Sequence, residues 1–242
     1  MPPASASQIV SRAGAAAPDA VLAVAKVELG ADPAGALHWP EHGLLAVADL
    51  HLEKGSSYAE RGVLLPPYDT AATLARLAAL IARYAPRVVV ALGDSFHDGR
   101  GPARLADTDR ATLRNLQRGR DWIWIAGNHD PEPAIGIGGR FLATFALGGL
   151  TFRHEPQASG EAEIAGHLHP VARVSRRGRA VSRRCFACDG ERLVMPAFGA
   201  YAGGLNVRDG AFANVFRTLT FTAHMLGERR VYAVAAKHCL PD

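Results

Sequence analysis

Five short segments carry the side chains able to do chemistry: Asp49-Leu50-His51, Gly93-Asp94, Gly127-Asn128-His129-Asp130, His154, and Gly166-His167-Leu168-His169. Together they offer carboxylate, amide and imidazole donors and no thiolate. That mixture suits manganese, iron or zinc better than calcium, which prefers oxygen alone. A donor set without cysteine also argues against a structural zinc site. Residues two apart in an extended segment point to the same side, so Asp49 and His51 are expected to grip one ion, and His167 and His169 to face one cavity. Asp94 has two oxygens and can lend one to each of two ions, holding them ~3.5–4 Å apart as in two-metal hydrolases. A lone histidine or a lone D-x-H is usually a turn or surface residue. Five such segments in one chain with ten histidines are not explained that way.

The elements that must position these donors are legible in the apolar runs. Gly43–Leu50, Val88–Leu92, Trp122–Ala126, Phe145–Arg153 and Glu163–Gly166 read as strands, and each leads directly into one of the five segments. Sites in open α/β sheets assemble at the carboxyl ends of strands. Leu74, Leu77, Ile81 and Tyr84 recur at spacings of three and four and predict a helix, with Asp69 and Thr70 as caps. Leu105–Arg118 predicts a second helix. Further strands are predicted over Arg184–Ala187, Arg192–Met195 and Val231–Ala235, with hairpin turns at Asp189-Gly190 and Asp209-Gly210. β-α-β units followed by antiparallel strands predict an α/β fold in which two mixed sheets pack face to face with helices outside.

Composition narrows the setting. The chain has 242 residues, 48% hydrophobic and 21% charged, enough to bury a sizeable core. Residues 1–20, rich in Ala, Pro and Ser, predict a loose arm, and 21–242 a single domain. No apolar stretch approaches the ~20 residues of a membrane span, and Val21–Ala25 is too short for a signal peptide, so a cytoplasmic protein is expected. Cys185 and Cys188 form one C-x-x-C with no second pair to complete a zinc site, and read as structural thiols. Net charge is +4, and Arg173, Arg176, Arg177, Arg179, Arg183 and Arg184 crowd into one short stretch beginning four residues after His169. Charge runs are usually solvated loops. This one is placed to contact nucleic-acid phosphates near the mouth of a site.

In order and in full, the five segments resemble the calcineurin-like metallophosphoesterase superfamily. Gly93-Asp94-Ser95-Phe96-His97-Asp98, Met195-Pro196-Ala197-Phe198-Gly199-Ala200-Tyr201 and Gly203-Gly204-Leu205 are similar to one bacterial branch, the ligase-associated DNA damage response endonucleases. The resemblance implies a four-layer α-β-β-α sandwich and two divalent ions, manganese foremost, with iron or zinc as alternatives. It assigns Asp49, His51 and His169 to the first ion, Asn128, His154 and His167 to the second, and Asp94 to both. His129 would face the leaving group. Many members pair that histidine with an aspartate three residues after the bridging one; here His97 stands there, followed by Asp98, which leaves open what orients His129. The implied reaction is attack on phosphorus by a hydroxide shared between the ions. The implied substrate is DNA, in repair, with a functional association with an ATP-dependent DNA ligase and a helicase; a homodimer is compatible with it. A nucleotide phosphatase or dinucleotide pyrophosphatase is the competing reading. A scaffold that has lost its metals is the least favoured, because no ligand position is missing.

Overall fold

The structure, a computed structural model, describes residues 20–134, 136–158, 160–217 and 219–242. The predicted arm therefore lies outside the described residues, apart from Ala20. Seven strands form the first sheet in sequence order: β1 (Ala20–Val24), β2 (Val27–Ala31), β3 (Leu37–Trp39), β4 (Leu44–Val47), β5 (Val88–Leu92), β6 (Asp121–Ile125) and β7 (Arg140–Leu142). Strands β1 to β4 pair antiparallel; β4 to β7 are parallel. Between the parallel strands lie α1 (Lys54–Glu60), α2 (Asp69–Tyr84), α3 (Gly101–Arg104) and α4 (Asp107–Gln117).

The second sheet is built from β8 (Phe145–Leu147), β9 (Leu150–Arg153), β10 (Glu163–Ala165), β11 (Pro170–Arg176), β12 (Arg179–Cys188), β13 (Arg192–Val194) and β14 (Leu205–Asn206). Strands β15 (Thr222–Leu226) and β16 (Val231–Ala235) extend it from β12. Strands β9, β10 and β13 are mutually parallel, and the other pairings are antiparallel except β11 with β14.

Side-chain alternation explains why the central strands are apolar throughout. Val90, Leu92, Ile123 and Ile125 face the second sheet, where they meet Leu150, Phe152, Ile164 and Phe186. Val89, Ala91, Trp122 and Trp124 face the other way, onto Leu74, Leu77, Ile81 and Tyr84 of α2 and Leu113 of α4. A strand buried on both faces has no polar position to offer. The outer face of the second sheet is covered by Phe212, Phe216, Phe221 and Cys239. This outermost layer is irregular chain with 3-10 turns at Gly210–Asn214 and Ala236–His238, in place of α-helices.

Several local expectations are corrected. Asp69 and Thr70 do not cap α2: Asp69 accepts a hydrogen bond from Gly55 N (3.1 Å) and Thr70 from Glu53 N (2.9 Å), so they satisfy the open N-terminus of α1 instead. Phe145–Arg153 is two strands joined at Gly148-Gly149, both with positive φ. At Asp189-Gly190 the chain does reverse, with only Gly190 in the left-handed region; Asp189 Oδ1 accepts from Glu191 N and Arg192 N. Asp209-Gly210 makes no hairpin, because the Asp209 carboxylate caps a 3-10 turn by accepting from Ala211 N. The arginine stretch is no loop either. It is the β11–β12 hairpin, whose turn, Arg177-Gly178, has φ of 52° and 74° as a two-residue hairpin turn requires. Cys185 and Cys188 are buried free thiols on β12. They lie three residues apart on a strand and face different cores, so they are not placed to share an ion.

Candidate metal centre

Each of the five segments leaves the carboxyl end of a strand: β4, β5, β6, β9 and β10. The reason their side chains converge is not the extended geometry expected. Asp49 (φ 53°), His51 (43°), Asp94 (44°), His167 (71°) and His169 (45°) all adopt the left-handed region, which costs a non-glycine residue free energy. The surrounding structure holds them there. His51 N donates to Asp94 O (2.9 Å), His167 N to the Asp49 carboxylate (3.1 and 3.2 Å), and His129 N to Asp94 Oδ1 (2.9 Å). Gly127 is required by close approach, since a Cβ there would lie 2.2 Å from Asp94 N.

The donors form two adjoining groups. In the first, His51 Nε2 and His169 Nε2 are 3.3 Å apart and His169 Nε2 lies 3.3 Å from Asp49 Oδ1. In the second, His154 Nε2 is 2.9 Å from Asn128 Oδ1, 3.2 Å from His167 Nδ1 and 3.4 Å from Asp94 Oδ2. Thus His167 and His169, expected to face one cavity, divide between the groups. Asp49 Oδ1 is 3.7 Å from His154 Nδ1, so the two groups share a wall. Both triads, Asp49-His51-His169 and Asp94-His154-His167, have the spacing of a metal site.

Electrostatics supports a fit to cations. Burial, with His169 next to it, pulls the His51 imidazole down to about 3, leaving the lone pair of one ring nitrogen available at neutral pH. Burial and then His154 also lower His167. Burial would raise Asp94, but the hydrogen bond and charge of His154 outweigh it and bring the carboxyl down to about 2. Burial would likewise lower His154, but its bond to Asp94 and the nearby Asp49 charge lift it to about 9. Its Nδ1 donates to Leu92 O (3.0 Å), which turns Nε2 towards the other donors. Two pairs of imidazole nitrogens that face each other at 3.2–3.3 Å match donor separations around an ion bound at about 2.1 Å. The residues present therefore fit two divalent ions.

The surroundings answer one open question. His129 Nδ1 lies 2.7 Å from the His97 carbonyl oxygen, an acceptor only, so that nitrogen carries a proton and Nε2 faces Asp94 Oδ2 at 3.9 Å. A backbone carbonyl thus orients His129. The His97 ring packs 5.3 Å from that of His129 and 5.7 Å from that of His51. Asp98 turns away and is held by Arg104 at 2.8 Å.

Sequence reasoning assigned no role to Asp130. Buried beneath Asp94, it accepts from Ser95 N (2.8 Å) and Phe96 N (3.1 Å) and so fixes the turn that presents Asp94. Burial, aided by the Asp94 charge, outweighs the lowering by its hydrogen bonds from Phe96 and Ser95 and raises its carboxyl to about 6. Its place one residue beyond His129 in a glycine-led segment was the available signal. The glycine-rich stretch Gly199 to Gly204 begins beside the first group. Phe198 N and Gly199 N donate to Ala48 O and Asp49 O, which makes the start of that stretch a wall against the first group.

The arginines part from the picture of a cluster at the mouth. Arg184 is half-buried and donates to Ala197 O (2.8 Å), bracing that wall. Arg173 donates to Pro241 O. Arg176, Arg177, Arg179 and Arg183 are exposed along the hairpin, whose tip is about 20 Å of strand beyond His169 at ~3.3 Å per residue.

Strand-end donors in two facing groups define a metal-dependent phosphoesterase, a hydrolase. A family model for calcineurin-like phosphoesterases matches residues 43–180, more than half of the chain, and the chain belongs to that family. Among solved structures it is similar to the Pseudomonas putida nuclease MPE: TM-score 0.68, 26% identity, over 89% of this chain and 99% of that one. Yfce, a phosphoesterase from E. coli, matches with TM-score 0.40 and 16% identity over 80% of this chain and 98% of its own. No curated protein sequence matches the chain. Among the described residues no helix is long and apolar enough to cross a membrane.

Proposed function

We propose that this protein hydrolyses phosphodiester bonds in nucleic acid, as a DNA endonuclease serving repair, with two divalent ions, manganese foremost. The observation that carries the reading is the pair of donor groups meeting across Asp49, Asp94 and His154. When bound, two such ions lower the pKa of water and neutralise charge on the phosphoryl oxygens. Asp49, His51 and His169 would hold one, Asn128, His154 and His167 the other, with Asp94 between them. His129, oriented by the His97 carbonyl, would present Nε2 to the leaving oxygen and, when protonated on both ring nitrogens, serve as a proton donor or charge stabiliser. The likeness to a nuclease over nearly the whole of both chains supports a nucleic-acid substrate. So do the exposed arginines at the hairpin tip, Arg177 and Arg179, which are suited to phosphates.

One observation favours a second reading, a nucleotide-sized substrate. A cavity of about 320 Å³ beside the second group is lined by Asn128, His154, Thr144, Arg153 and Gln157, large enough for a small ligand. A substrate panel with added manganese separates the two. Single-stranded and duplex DNA, RNA, a cyclic nucleotide, a dinucleotide and a chromogenic diester would be compared. Internal cleavage of DNA is expected; cleavage of the dinucleotide with intact polymers would reverse the assignment.

A further inference from the structure

The outer face of the second sheet is covered at one end by Phe212, Phe216 and Phe221. At the other end it opens as a groove of about 1050 Å³ between the β11–β12 hairpin and the tip of the β15–β16 hairpin. Its floor is apolar: Val174 stands opposite Val181, and Met225 opposite Tyr232 with Val234 beside it. Tyr232 is 46% exposed and Leu240, from the C-terminal segment, 36%. Four arginines ring the floor, Arg176 and Arg183 on one hairpin and Arg229 and Arg230 on the other, against the single carboxylate of Glu228. Among the described residues none of these guanidinium groups has a carboxylate within ion-pair distance. Arg183 donates to Ser182 O, and Arg230 lies over the Tyr232 ring.

An apolar floor inside a ring of unpaired cations specifies its occupant: apolar on one side and acidic at both edges. Aliphatic side chains make most of the floor, and Tyr232 with the exposed imidazole of His238 offers too little ring surface for the successive base stacking on which single-stranded nucleic acid relies. The chain's own residues 1–19 carry one acid, Asp19, against Arg12, and a second copy brings a net positive charge; neither complements the rim. A groove of about 1050 Å³ has room for about two turns of a helix ~10–12 Å in diameter. We propose that this groove docks an acidic amphipathic helix of a partner protein, its aliphatic face on the floor and its carboxylates on the four arginines. The inference does not depend on the nuclease reading, because the groove shares no residue with the metal centre.

The test uses the full chain in EDTA and a labelled synthetic peptide of about 18 residues, long enough for several helical turns, with Leu at helical spacing and Glu elsewhere. Leu→Ser and Glu→Lys versions and a single-stranded DNA of similar length serve as comparators. The Leu/Glu peptide is expected to bind, and each comparator peptide to bind at least about tenfold more weakly, since both floor and rim contribute. The double variant Arg229→Glu, Arg230→Glu should lose at least about tenfold and Val181→Asp a similar factor, with hydrolysis of a chromogenic diester and the circular dichroism spectrum unchanged. The charge reversal lies on an exposed turn, so its result stands even if Val181→Asp fails to fold. Absence of peptide binding, equal binding by the reversed variant, or equal binding of the Leu→Ser peptide overturns the proposal. Loss of DNA affinity without loss of peptide affinity would make the groove part of a polynucleotide path. A dimer abolished by Val181→Asp would give it to a second copy. Tighter peptide binding after deletion of residues 1–19 would give it to the chain's own segment. Each of these also overturns the partner assignment.

Discussion

The metal centre and the arginine hairpin are both polar regions at the edge of apolar sheets, and they are built in opposite ways. At the centre, Asp49 and Asp94 are buried, five donors sit in left-handed backbone, and Asp49, Asp94, His154 and His129 are each tied to a backbone group. On the hairpin, Arg176, Arg177 and Arg179 are exposed on a regular two-stranded ribbon. Chemistry on a phosphorus atom needs donors fixed in energetically costly positions, which only an over-determined surround maintains. Contact with a long anionic partner needs only charge at roughly the right place. Single substitutions at the centre should therefore be severe and specific, and those on the hairpin small and graded.

The largest expected effect is from Asp94→Ala, about a thousandfold or more in turnover and more than any other ligand change, because the proposed arrangement has Asp94, which contacts His154 and acts electrostatically on His51, serve both ions. Steady-state kinetics with saturating manganese checks it; near-normal turnover would remove the distinction drawn above. Next is His129→Ala, expected to cost about 10²–10⁴-fold, the range for a general acid, while leaving metal content intact. The loss should be greater on diesters with poor leaving groups. Metal analysis of the purified variant is the control, and empty sites would make His129 a ligand.

Proton release sharpens the comparison at smaller magnitude. In the metal-free chain the Asp94 and Asp49 carboxylates hold His154 up to about 9. Its folded pKa is raised, so the stability its proton contributes is present below the ordinary histidine range and lost as pH rises through about 9. Binding an ion through Nε2 must displace that proton. Titration calorimetry near pH 7 in buffers of different ionisation enthalpy is expected to show about one proton released on filling the second group. Metal affinity should fall as pH is lowered. Proton-neutral binding would mean that His154 is not displaced.

The contrast also explains what was legible beforehand. The strands β4, β5 and β6 and the helix α2 were readable because a strand buried on both faces is uniformly apolar and a half-buried helix repeats every three to four residues. The donor segments were visible from residue type and order. Spacing alone did not divide them, since His167 and His169 each adopt left-handed backbone that it does not encode; the division was implied only by the family resemblance. Asp69 and Thr70 carried a capping signal whose recipient, α1, is a tertiary matter. Strands β1, β2 and β15 escaped notice, and the arginine hairpin read as a loop, since on its open end charge replaces the apolar alternation that identifies a strand.

The smallest effect belongs to the hairpin tip. Arg177→Ala with Arg179→Ala is expected to weaken DNA binding about three- to tenfold and to flatten its salt dependence by about one to two counterions. Cleavage of a small chromogenic diester should be unchanged. Unaltered affinity and slope would mark these arginines as solvated charge and favour the nucleotide-sized substrate.

The central claim is that the two donor groups hold a pair of ions which act together. Electron paramagnetic resonance of the manganese-loaded protein, with metal content measured on the same sample, tests it most directly. Two manganese ions per chain with an exchange-coupled spectrum are expected, replaced in Asp94→Ala by uncoupled or missing ions and lost turnover. A fully active protein with one uncoupled ion per chain would contradict the account.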